Sequence, residues 1–180
     1  MQSGSENIDN SSSSAYAAEA KEPVFFSVGV KKLVVLNTLF LGTYAIFWMY
    51  KNWQYLKDKK DDKCIPIVWA FFSPITFFVL IPKIKSAIQE KGGTPPAMSN
   101  FLLGLIFFAC NLVTRIDHPL CIYAFVLNVI PLVVLQKALN AANGGESVVP
   151  NTKFSKLNKV FAGIFALLYV MGIAGSFIKD

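Results

Sequence analysis

The chain has 180 residues, 54% of them hydrophobic and 16% charged, and its 17 basic and 11 acidic side chains give a net charge of +6. A soluble domain of this length ordinarily carries more charge, and here the apolar residues come in long blocks rather than in stripes, which suits lipid better than a water-facing surface. The three cysteines, Cys64, Cys110 and Cys121, exclude a disulfide-built secreted scaffold. Lysines cluster at the ends of apolar blocks (Lys31, Lys32, Lys51, Lys83, Lys85, Lys137, Lys159), so the basic balance points to lipid headgroups, with no nucleic-acid partner expected.

Residues 1–22 are polar, with a serine run at Ser11–Ser14, and are expected to form a disordered tail ahead of a single helical membrane domain over 23–180. The opening has no basic stretch followed by an apolar run, so no cleavable signal peptide is expected. The first apolar block, Leu33–Tyr50, is interrupted by Asn37, Thr38, Gly42 and Thr43. It ends in a dense aromatic run. Trp48, Tyr50, Lys51, Trp53 and Tyr55 have the composition of a membrane-interface anchor, in which rings with one polar handle settle at headgroup depth.

The stretch Phe40-Leu41-Gly42-Thr43-Tyr44 through Phe47-Trp48-Met49-Tyr50-Lys51 resembles the Gly-x-Tyr-x-x-(Tyr/Phe)-Trp-x-Tyr-Lys signature of small bacterial integral-membrane proteins of unknown function. The lead-in Phe25-Phe26-Ser27-Val28 and the lysine-rich loop that follows are similar too, and the likeness runs over about Phe25–Lys91. It implies a multi-pass protein of the bacterial cytoplasmic (inner) membrane and brings no catalytic residue with it.

The second block, Ile65–Ile81, carries Pro66, Pro74 and Pro82, spaced by eight. Ser73-Pro74 divides it into halves too short to cross a bilayer core that needs about 20 helical residues. Blocks one and two therefore either kink and span or dip in and return. The excess of lysine on cytoplasmic segments favours the second course. If both blocks dip, all basic residues except Arg115 and Lys179 share one side, whereas five full crossings spread them over both.

Met98–Thr114 and Leu120–Leu135 read as a spanning hairpin, and Val160–Ile178 as a final uncharged span. The fold class expected is thus all-α integral membrane, with four to five apolar helical segments and the first two kinked or re-entrant. Ile81, Ile84 and Ile88 share one helical face, as do Leu132, Leu135 and Leu139. Both stretches end in a glycine pair, Gly92-Gly93 and Gly144-Gly145, as a helix C-terminus would. The order apolar block, Ile-Pro, amphipathic turns, Gly-Gly occurs twice, which raises an internal repeat against the simpler reading that helices leaving a membrane look alike.

Few residues carry chemistry. Arg115, Asp117 and His118, in the turn between blocks three and four, are candidates for a proton or ion relay, against the plainer reading of a wet polar turn. Asn37, Asn111 and Asn128 lie inside apolar blocks and either line a path or hydrogen-bond between helices, the commoner case. Cys110 and Cys121 flank the turn symmetrically and could pair, or simply pack. Phosphate loops, metal-protease motifs and nucleophile elbows are absent, so no catalytic residue, cofactor or metal is assigned. The reading that remains is a non-catalytic interaction or organising module contacting the bilayer, anionic lipid, and partner helices or further copies of itself. The alternative is a small transporter or channel subunit.

Overall fold

The computed structural model describes residues 25–60, 63–116, 121–145, 149 and 151–156, together with 158–160, 163–164, 166–167 and 171. The expected tail and most of the expected final span lie outside these. Among the described residues the structure is all-helical, with seven helices and no strand: α1 (Val30–Leu39), α2 (Tyr44–Lys60), α3 (Pro66–Phe71), α4 (Ser73–Glu90), α5 (Asn100–Val113), α6 (Cys121–Leu127) and α7 (Val129–Ala142).

The first apolar block is not one helix. Leu41 and Gly42 both take left-handed backbone, at φ 50° and 80°. Gly42 N–H donates to Asn37 O at 2.7 Å and Leu41 N–H to Thr38 O at 3.2 Å, the paired bonds that close a helix C-terminus. The chain then reverses into α2. Its return is fixed at the other end, where Phe26 N–H donates to Asn52 Oδ1 at 3.2 Å and the Phe25 ring stacks on Tyr55 at 4.9 Å. α1 and α2 are therefore two limbs of a hairpin, with α1 rising only about 15 Å.

The second block breaks at Phe72. Pro66 and Pro74 each stand in the first turn of a helix, α3 and α4, where a missing N–H costs nothing. The Thr76 hydroxyl donates to Trp69 O at 2.6 Å, occupying a carbonyl near the break. α3 runs back along α2, with Trp69 against Trp53 at 4.5 Å, and at six residues rises only about 9 Å. α4 returns until Glu90 meets Lys60 at 2.7 Å. Pro82 lies within α4 and does not end it.

α5 is antiparallel to α4. Phe77 meets Phe107 at 4.5 Å, Phe78 covers Gly104, and Lys85 Nζ donates to Met98 O. Ser99 caps α5 by accepting from Leu102 N–H at 3.1 Å. α6 and α7 run nearly end to end through a turn at Asn128. Counted together as Tyr123–Ala142, they make the one described helix long and apolar enough to cross a membrane; α5, at 14 residues, is shorter. Four to five spans are thus not what the described residues display. They hold one such helix, one shorter apolar helix and two broken blocks.

Both glycine pairs end helices as expected. Gly93 N–H donates to Ile88 O at 2.9 Å and Gly145 N–H to Asn140 O at 2.8 Å, with Gly92 and Gly144 left-handed. The repeat does not carry through to geometry. Pro82 stands in the middle of α4, whereas Pro131 stands in the first turn of α7.

The core lies between the hairpins and α7. Leu33, Leu36, Trp48, Met49, Trp53, Phe77, Ile81, Ile84, Ile88, Phe107, Leu132, Leu135 and Leu139 are all essentially inaccessible. The two amphipathic stretches therefore pack against protein with their apolar faces.

Candidate functional site

Phe25 takes left-handed backbone at φ 57°, and Phe26–Gly29 continues outside any helix, yet the segment is mostly buried. Backbone without a helix or sheet partner must find its hydrogen bonds elsewhere. Here side-chain amides supply them. Asn52 Oδ1 accepts from Phe26 N–H, Gln136 Nε2 donates to Phe26 O at 3.2 Å, and Asn140 Nδ2 donates to Val28 O at 3.0 Å. The amides are also joined to one another. Gln136 Nε2 donates to Asn140 Oδ1 at 2.8 Å, Trp48 Nε1 donates to Gln136 Oε1 at 2.7 Å, and Asn52 Nδ2 donates to Trp48 O at 2.7 Å. Asn52, Gln136 and Asn140 are each at most 2% exposed. The sequence reading missed all three.

Two of the three expected intramembrane asparagines meet. Asn37 Nδ2 donates to Asn128 Oδ1 at 2.7 Å, joining α1 near its tip to the α6–α7 turn. Asn111 stands apart and donates to Phe107 O of its own helix at 2.8 Å. Asn37 and Asn128 are buried among packed helices, which is the inter-helix bonding expected of such residues rather than the lining of a path.

The aromatic run divides. Trp48 and Trp53 are fully buried, so the expected interfacial anchor is corrected for both: their rings fill the core. The physical reason is helical spacing, since Ala45, Trp48, Met49, Asn52, Trp53 and Leu56 form one face of α2, turned to the protein. Tyr50, Lys51 and Tyr55 are half-buried at the edge. Lys51 Nζ lies 5.9 Å from the Phe47 ring centre and 5.8 Å from that of Tyr50.

Arg115 is exposed in the turn after α5, and Asp117 and His118 lie outside the described residues. Cys110 carries a free thiol. Lys32, expected to face headgroups, is instead buried. Its ammonium donates to Asn151 Oδ1 at 2.7 Å and Lys153 O at 2.8 Å, and burial lowers its pKa. No cluster of three or more metal-binding side chains occurs among the described residues.

These contacts sort the charges. The Phe26–Asn52, Lys60–Glu90, Lys85–Met98 and Lys32–Asn151 pairs bring the open ends of both hairpins and the end of α7 to one end of the molecule. A Cβ on Gly93 would come within 2.9 Å of Ala142, which fixes the ends of α4 and α7 side by side there. Lysines 31, 32, 57, 59, 60, 63, 85, 91 and 153 belong to that end. At the opposite end lie the turns Phe40–Thr43 and Phe72, and the turn after α5, where Arg115 is the only basic residue described. Between the two ends large apolar side chains face outward, among them Ile67 at 67%, Phe71 at 75%, Ile75 at 64% and Phe101 at 68% exposed. No protein family, no curated protein and no solved structure matches this chain.

Proposed function

We propose that the chain is a non-catalytic module embedded in a bacterial cytoplasmic membrane. In this reading the α1–α2 and α3–α4 hairpins enter one leaflet from the lysine-rich side and return to it. The observation that carries it is the sorting of charge: lysines at the open ends, apolar rings outward along the limbs, and turns nearly without charge at the tips. An isolated apolar surface of this extent is costly in water and favourable in lipid. The stretches of the limbs without charged side chains, Leu33–Leu39 of α1, Tyr44–Tyr50 of α2 and Ser73–Pro82 of α4, rise only about 10–15 Å, at most half of a hydrocarbon core about 30 Å thick, which is the depth of one leaflet. α6–α7 is long enough to cross beside the hairpins, and the lysine end would rest on anionic headgroups, each lysine near the surface adding about 1 kcal/mol.

Two wedges in one leaflet act on lipid packing, and the outward phenylalanines offer contact to partner helices. The buried amides serve the fold by holding Phe25–Gly29 in place. The transporter alternative draws no comparable support, because Asn37 and Asn128 are engaged with each other. Reconstitution tests the proposal. The purified chain should float with vesicles, bind anionic vesicles in preference to neutral ones, and narrow their size distribution. Indifference to lipid charge and shape would overturn it.

A further inference from the structure

Lys51 stands between two openings on the outer face of the first hairpin. Toward the tip lies an apolar groove of about 400 Å³ between α2 and α3, lined by Thr43, Ile46, Phe47, Tyr50, Ile67 and Phe71. Toward the lysine-rich end lies a recess of about 310 Å³ lined by Phe25, Ser27, Lys51, Gln54, Tyr55 and Asp58. Phe47 and Tyr50, which wall the groove, are the rings under the Lys51 ammonium, and Phe47 meets Phe26 of the recess edge-on at 5.8 Å. The two openings are therefore neighbours, greasy below and polar above.

The polar one is chemically distinctive. Its surroundings are lysine-rich, yet among the described residues its wall holds one cation and one carboxylate. Lys51, Gln54, Tyr55 and Asp58 recur at the spacing of one face of α2, which sets Lys51 and Asp58 about 10 Å apart along the axis. Ser27, at 8% exposure, lies in the recess wall, and its buried hydroxyl has no hydrogen-bond partner among the described residues.

We infer that this is a site for one phospholipid whose headgroup carries both a phosphate and an amine. The phosphate takes Lys51, the amine takes Asp58, and an acyl chain lies in the groove. A headgroup with a phosphate and no amine would leave Asp58 facing like charge. The inference rests on the membrane reading above and adds a defined ligand to it.

The test offers the full chain, purified in detergent and stripped of lipid, an equal mixture of phosphoethanolamine, phosphoglycerol and phosphocholine lipids with the same acyl chains. Native mass spectrometry reads what is retained. One phosphoethanolamine lipid per chain is expected, favoured about tenfold over the phosphoglycerol lipid. Asp58→Asn should abolish that preference, and Lys51→Gln should weaken retention of every phospholipid. Both positions lie toward the surface, and unchanged helical content of the variants separates loss of binding from loss of fold. Equal retention of all three headgroups, an unaltered preference in Asp58→Asn, or no retained lipid overturns the site. Vesicle flotation is read in parallel: a chain that still floats preferentially with anionic vesicles but retains no phosphoethanolamine lipid loses only the site, and a chain that does not float loses the membrane reading with it.

Discussion

Asn37 of the first hairpin donates its side-chain amide to Asn128 Oδ1 at 2.7 Å, in a position where neither residue reaches solvent. The bond joins α1 to the long α6–α7 helix. A Cβ on Gly42 would stand 2.5 Å from Asn128 Nδ2, so the hairpin tip closes on the same residue.

Breaking this pair from one side strands a buried amide. Asn128→Leu is expected to cost about 1–3 kcal/mol, as a buried polar group without a partner does. The double replacement Asn37→Leu with Asn128→Leu should be less destabilising than the two single costs added together. Equilibrium unfolding of the four proteins in detergent reads the coupling.

Gln136 serves three partners, Trp48, Phe26 and Asn140. Gln136→Leu keeps much of the volume but orphans the Trp48 indole N–H and the Phe26 carbonyl. At about 1–3 kcal/mol for each stranded group, a loss of roughly 2–6 kcal/mol is expected. Faster amide exchange or proteolysis at Phe26–Gly29 should accompany it, because that segment has no secondary structure of its own.

Much of this frame could be read in the sequence. Gly42 announced the first tip because the turn needs left-handed backbone, and Ser73-Pro74 announced the second because a proline N cannot extend α3. The glycine pairs marked the ends of α4 and α7. The amide network was harder to see. Gln136 and Asn140 flank Lys137 and look like a polar exit from an apolar block. Their signal was the helical spacing of Asn128, Gln136 and Asn140, eight and four residues apart, which sets three amides on one face of a helix. What that face meets depends on a segment more than a hundred residues earlier, and local pattern holds no such information. Trp48 and Trp53 were misplaced for a related reason. A ring suited to a headgroup boundary is equally suited to a core, and only the face of α2 decides between them.

Gly104 lets α4 and α5 approach closely. A Cβ there would lie 2.4 Å from the Phe78 ring. Gly104→Ala is expected to destabilise by about 1–3 kcal/mol through overpacking, and Phe78→Leu in the same chain to restore part of the loss. Thermal unfolding of the single and paired variants decides this.

The Lys60–Glu90 bridge adds a pH dependence at the lysine-rich end. The hydrogen bond and charge of Lys60 hold Glu90 below its ordinary value of 4.5. A carboxylate whose pKa is depressed by folding contributes its stability above the unfolded value and loses it as pH falls through the folded value. The gap in Tm between wild type and Glu90→Gln should therefore be level at neutral pH and close on acidification below about pH 4.5. Both partners are exposed, so the gap is small and narrows in high salt.

Sidedness is the central claim, and single-cysteine labelling with a membrane-impermeant reagent measures it. In intact cells and in inverted vesicles, with Cys64, Cys110 and Cys121 replaced, cysteines at positions 31, 63, 91 and 115 are compared. Positions 31, 63 and 91 are expected to react together from the cytoplasmic side, and position 115 only from the other. Position 63 reacting from the side opposite positions 31 and 91 would mean that the first two blocks cross the bilayer, contradicting the paired wedges.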